Sequence, residues 1–163
     1  MHARRIAAGA AAAAAASLAL AGCSLFGQDG PDRDPDTQEV LEEGDVSVYE
    51  IRVGDCLDSA DLSGELNSVP VIPCAEPHDA EIYDSMMLSG DEFPGQAEVE
   101  AQADDYCIGA FESFVGVAYA DSELYASTIL PSEDSWSDGD REVLCVVFDT
   151  DGEVTGSLRD AGR

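Results

Sequence analysis

The chain contains no lysine. Its seven basic residues are all arginines, set against 35 acids, for a net charge of −28 over 163 residues. A surface of that sign repels phosphate backbones and anionic lipid headgroups, so nucleic acid is not expected among its partners. Other residue types are scarce too: histidine occurs only as His2 and His78, tryptophan only as Trp136, asparagine only as Asn67. There is no C-x-x-C pair, no P-loop and no G-x-G-x-x-G, which leaves the common sequence signatures of metal, nucleotide and dinucleotide sites unfilled. Long hydrophobic runs are also missing. The uncharged stretch 6–21 is mostly alanine and falls short of the ~20 strongly apolar residues that a spanning helix needs.

What is present at the start of the chain reads as a targeting segment. Arg4 and Arg5 precede the alanine-rich run, which ends in Leu20-Ala21-Gly22-Cys23. Small residues before a cleavage point admit signal peptidase, and a cysteine directly after Leu-Ala-Gly resembles the lipobox of bacterial lipoproteins. That resemblance implies that residues 1–22 are a signal peptide, that Cys23 is lipidated and becomes the new N-terminus, and that the protein is anchored at the extracytoplasmic face of the cell membrane. Residues 23–44 then read as the lipidated cysteine and an acidic, disordered tether. Gly27-Gln28-Asp29-Gly30-Pro31-Asp32-Arg33-Asp34-Pro35-Asp36 holds no apolar side chain beyond its prolines, too little burial to offset the entropy of ordering it.

Four cysteines follow: Cys56, Cys74, Cys107 and Cys145. An even number in a small exported domain reads as two disulfides; three pairings are open, and spacing does not choose among them. Zinc is the competing use, but a lone His78 without a C-x-x-C pair argues against it. Neither a cofactor nor a metal is expected.

Residues 45–163 form one domain whose modest core the cross-links assist. Tyr49, Ile51 and Val53 alternate with Glu50 and Arg52, predicting a strand over 46–53 that Gly54-Asp55 ends. Residues 69–73 are extended, and Pro70 and Pro73 suit a sheet edge. Residues 80–88 predict another strand, with Ile82 and Met86 on one face and Tyr83 and Met87 on the other. The clearest helix covers 94–115: Val99, Ala103, Cys107, Ala110, Phe111 and Phe114 share one stripe, Pro94 suits its first turn and Gly116 its end. Residues 124–130 predict a strand halted by Pro131, and 131–140 a polar loop around Trp136. Residues 142–149, apolar on both faces, predict a central strand. Asp151-Gly152 signals a hairpin returning as a half-exposed strand over 154–159. The fold class is α+β: a small, mostly antiparallel sheet of four or five strands with one main helix packed on it and two disulfides.

Several pieces, taken in order, form a larger pattern. They are Val53-Gly54-Asp55-Cys56-Leu57, then Val71-Ile72-Pro73-Cys74 leading into Pro77-His78-Asp79-Ala80-Glu81-Ile82, then Cys107 in the helix, Pro131, and Trp136-Ser137-Asp138-Gly139-Asp140-Arg141 running into Val143-Leu144-Cys145. This order, over residues 50–150, resembles the septum-formation domain family of high-GC Gram-positive bacteria, extracytoplasmic domains often borne on lipoproteins or membrane-anchored proteins. The resemblance implies that Cys56 pairs with Cys74 and Cys107 with Cys145, and that the protein is linked to septum formation or cell division.

Candidate chemistry is sparse. His78, with Asp79 and Glu81 nearby, has the residue types of a general base or a metal ligand. The same histidine equally serves to lock the turn after Cys74 through a ring hydrogen bond, and no second histidine, free thiol or nucleophile motif stands beside it. Trp136, Asp140 and Arg141 are either a contact loop or a cover over the core edge. The acid runs, including Asp149-Thr150-Asp151-Gly152-Glu153, lack the ligand spacing of an EF-hand. The expectation is a non-catalytic envelope lipoprotein that binds or scaffolds an envelope protein or cell-wall component, with no catalytic residue. The competing class is an envelope hydrolase or divalent-metal enzyme using His78 and nearby carboxylates.

Overall fold

The computed structural model describes residues 30–64 and 66–163. The expected signal peptide, Cys23 and the first residues of the expected tether lie outside them. Among the described residues, no helix is long and apolar enough to cross a membrane.

The architecture is α+β in three layers. A short strand, β1 (Gly44–Ser47), precedes β2 (Cys56–Leu57), β3 (Ser68–Val71) and β4 (Ala80–Met87). The long helix α1 (Gln96–Val115) follows, then β5 (Tyr125–Ile129), a one-turn helix α2 (Glu133–Ser137) and β6 (Glu142–Phe148). Four strands make an antiparallel sheet in the order β2-β4-β6-β5, while β1 and β3 form a separate antiparallel ribbon. Helix α1 lies on one face of the four-stranded sheet. Its Val99, Ala103, Cys107 and Phe111 meet Tyr83 of β4 and Val143, Cys145 and Val147 of β6. The ribbon lies on the other face, where Val46, Val69 and Val71 meet Ile82, Leu144 and Val146.

The apolar stripe of α1 and the two-faced apolarity of β6 appear as expected, and β6 is central, flanked by β4 and β5. Helix α1 ends where Gly116 adopts a left-handed conformation (φ 92°) and returns its N–H to the Glu112 carbonyl, a role glycine fills without strain. The disulfides are Cys56–Cys74 and Cys107–Cys145; the second ties α1 to β6 through the core.

Four expectations need correction. First, the strand over 46–53 stops at Ser47. A 3-10 turn, Val48–Glu50, follows, capped by the Ser47 hydroxyl, and it leaves Tyr49 64% exposed while Ile51 turns inward. Alternation alone does not distinguish a strand from a turn that exposes every second side chain. Second, a β-bulge at Tyr83 shifts the β4–β6 register between Ile82 and Asp84. One extra residue reverses the alternation, so Met86 joins Tyr83 on the α1 side and Met87 points to the opposite face, 66% exposed.

Third, residues 154–159 form no strand. Val154 makes a single antiparallel bridge with His78, and the following turns pass through Gly156 at φ 87°. Fourth, the described part of the expected tether is fastened to the domain at two points while most of its residues stay exposed: Arg33 forms an ion pair with Asp55 and bridges Val40, and Val40 is buried against the ribbon.

Candidate functional site

His78 and Glu81 sit where β4 begins, beneath the Cys56–Cys74 disulfide and the returning C-terminal segment. His78 is fully buried. Its backbone pairs with Val154, N–H to carbonyl in both directions, at 3.1 and 2.7 Å. Its Nδ1 lies 2.8 Å from the Glu76 carbonyl oxygen. A carbonyl only accepts, so Nδ1 carries the proton. Nε2 is buried without a hydrogen-bond partner among the described residues. Ligand-type atoms of Cys56, Cys74 and His78 lie within 4.8 Å of one another, but the two sulfurs are joined in a disulfide and supply no thiolate to a metal.

Glu81 is buried as well. It faces the α1 side of the sheet, and its carboxylate accepts hydrogen bonds from the Ser157 hydroxyl at 2.9 and 3.0 Å and from the Leu158 N–H at 2.7 Å. Burial pushes its carboxyl above the usual range, against the pull of those donors. The carboxylate thus takes the Leu158 N–H, a donor no longer free for a strand ladder, and residues 154–159 run as turns. Asp79 points elsewhere, accepting from the Ser59 N–H and hydroxyl. The three polar residues of the 78–81 segment therefore face three different partners and do not converge.

Trp136, Asp140 and Arg141 are brought together, as a clamp. The Arg141 guanidinium stacks on the Trp136 ring at 3.7 Å and donates to the carbonyls of Gly90, Trp136 and Asp140. The indole N–H donates to the Asp91 carbonyl, and the Trp136 ring meets Phe93 edge-on. Asp140 accepts from the Ser135 hydroxyl and the Glu142 N–H. The expected polar loop contains α2, whose Ser132 and Ser135 form a reciprocal capping box. With Trp136 buried and the Arg141 donors occupied by carbonyls, these side chains hold the 88–93 and 132–141 segments together.

An open concavity lies elsewhere. The β1–β3 ribbon covers only part of its sheet face, and the rest is a groove of about 560 Å³. Leu144 and Ile129 form its floor, Val48, Tyr49 and Leu66 one wall, and the α2 segment the other. Met87 projects into it because of the bulge. Asp134, Asp138, Asp140 and Glu142 stand along the α2 side. Of the residues singled out in the sequence, Asp140 and Arg141 line this groove; the remainder of its lining was not anticipated. That lining comes from four separate segments, and the bulge at Tyr83 turns Met87 to the face opposite the one its alternation predicts.

The septum formation family profile matches residues 19–145, most of the chain. Among curated proteins and solved structures, nothing matches it.

Proposed function

The chain belongs to the septum formation family, which indicates a role related to cell division, and on that footing we propose that it is a non-catalytic module of the cell envelope, lipidated at Cys23, anchored at the extracytoplasmic membrane face, and acting there by binding an envelope protein or cell-wall component. The observation that carries the reading is a contrast. The two residues best suited to acid–base chemistry, His78 and Glu81, are enclosed and tied to backbone and hydroxyl groups of the fold. The open concavity is lined by aliphatic side chains and surface acids, a composition that fits binding better than bond cleavage. A hydrolase or metal enzyme needs at least two groups of complementary role converging on one cavity, and Glu81, Asp79 and His78 point apart.

Fractionation and imaging test this reading together. Wild-type protein should be membrane-bound, processed before Cys23, and enriched at division sites when tagged at its C-terminus. Cys23→Ala should accumulate as precursor or detach from the membrane. A Cys23→Ala protein that is processed and membrane-bound as usual would contradict the anchor, and a wild-type signal spread evenly along the membrane would contradict the division role.

A further inference from the structure

We propose that the groove between the β1–β3 ribbon and α2 takes an extended, cationic and apolar peptide segment of another extracytoplasmic protein. The inference deepens the binding role proposed above and rests on it.

Three observations select that chemistry. The first is charge. Asp134, Asp138, Asp140 and Glu142 line the groove against a single basic residue, Arg141, whose guanidinium is turned onto Trp136 and onto main-chain carbonyls. The four carboxylates outnumber that one guanidinium, which forms no ion pair with them, so the field over the cleft is negative, in a chain with 35 acids and seven arginines. Such a cleft concentrates cations and repels acidic partners. The second is the floor. Leu144, Ile129, Leu66 and Met87 present an aliphatic surface, with Tyr49 and Met87 largely exposed beside it. Water leaves such a surface readily, so apolar side chains alternating with basic ones suit it better than a purely ionic ligand does.

The third observation is the strand edge. Thr128, Ile129 and Leu130 line the groove, and among the described residues no strand pairs with the outer side of β5. A free edge offers backbone donors and acceptors to an extended peptide. The exposed aromatic of the lining, Tyr49, stands beside an aliphatic floor that suits apolar peptide side chains better than a hydroxylated sugar face. Met87 also explains why the bulge at Tyr83 matters here: without the extra residue, this side chain would lie under α1 and the groove would lose its apolar rim.

The test uses the full-length lipidated protein in nanodiscs of zwitterionic lipid. Fluorescence anisotropy is read with a labelled peptide alternating lysine and leucine, with its glutamate–leucine counterpart, and with a muropeptide. The lysine peptide should bind at physiological salt and the glutamate peptide should not. Asp134→Asn with Asp138→Asn should weaken binding about 3- to 10-fold, from the worth of two partly screened charge pairs. Met87→Lys, at an exposed position that leaves the core intact, should weaken it further. Asp104→Asn with Asp105→Asn, on the exposed side of α1 across the sheet, should leave it unchanged. Equal weakening by the α1 pair would reduce the effect to bulk charge and overturn the site. Absence of lysine-peptide binding, or binding of the muropeptide alone, would overturn the occupant. Failure here with division-site localisation intact would leave the envelope role standing, whereas groove-specific binding by a protein that is not enriched at division sites would overturn that role alone.

Discussion

Arg33 grips Asp55 through two parallel hydrogen bonds, Nη1 to Oδ1 at 2.5 Å and Nη2 to Oδ2 at 2.9 Å, across 22 residues of chain. The pair is nearly enclosed, with the Asp55 side chain 3% exposed, and Asp55 also accepts the Arg52 N–H. It fastens the strap, residues 30–43, to the turn just before the strand that carries Cys56. Arg33→Ala leaves a buried carboxylate short of its cation and should cost about 3 kcal/mol. Urea unfolding would report the loss, and limited proteolysis should gain a cut between residues 30 and 43. Unchanged stability and an uncut segment would show that the pair does not hold the strap.

The Cys107–Cys145 disulfide closes 38 positions and Cys56–Cys74 closes 18. In the chain-entropy account these closures are worth about 4 and about 3 kcal/mol. Replacing both members of a pair by alanine should lower stability in that order. The Cys107–Cys145 variant should suffer beyond its loop length, because its sulfurs also fill the layer between α1 and β6. Equal losses, or a larger one for Cys56–Cys74, would refute the ranking.

These elements show what could be read from sequence and what could not. Helix α1 and strand β6 were legible because their burial follows a period that local sequence records: every third or fourth residue from Val99 to Phe114, and an unbroken apolar run from Val143 to Val147. The disulfide pairing came from the family resemblance, since spacing left three pairings open. The strap over residues 30–43 was not legible, because composition counts apolar side chains whereas its fastening is ionic and its partner is 22 residues away. The bulge at Tyr83 leaves no local mark, yet it moves Met87 into the groove. Alternation after Gly152 predicts a strand; the segment is instead tied to His78, Cys74 and Glu81, the last 77 residues away from Leu158. The candidate residues were found, but their roles depend on partners that only the fold supplies.

Glu81 makes a pH prediction. Burial raises its carboxyl above the ordinary 4.5, so the folded protein holds that proton more tightly than the unfolded chain does. The resulting stabilisation is fully present below 4.5 and is lost as pH rises through the elevated folded value. Glu81→Gln keeps an acceptor for Leu158 and Ser157 and removes the titration. Wild-type stability should therefore decline relative to Glu81→Gln as pH increases from 4 toward neutrality, in urea titrations at each pH. A wild type that gains on the glutamine variant over that range would mean the donors outweigh burial. Glu81→Ala, which strands the Leu158 N–H and the Ser157 hydroxyl, should cost about 1–3 kcal/mol.

In the proposed reading, the domain serves division through its groove, and its buried polar residues hold the fold. The most direct measurement is septum frequency in cells whose only copy of the protein is a chosen variant, with export and abundance checked by immunoblot. A groove variant carrying Met87→Lys, Asp134→Asn and Asp138→Asn should divide as poorly as cells lacking the protein, while Glu81→Gln cells divide as wild type. Normal division with the altered groove, together with failure of Glu81→Gln at full abundance, is the pattern of a catalytic carboxylate and would contradict the account.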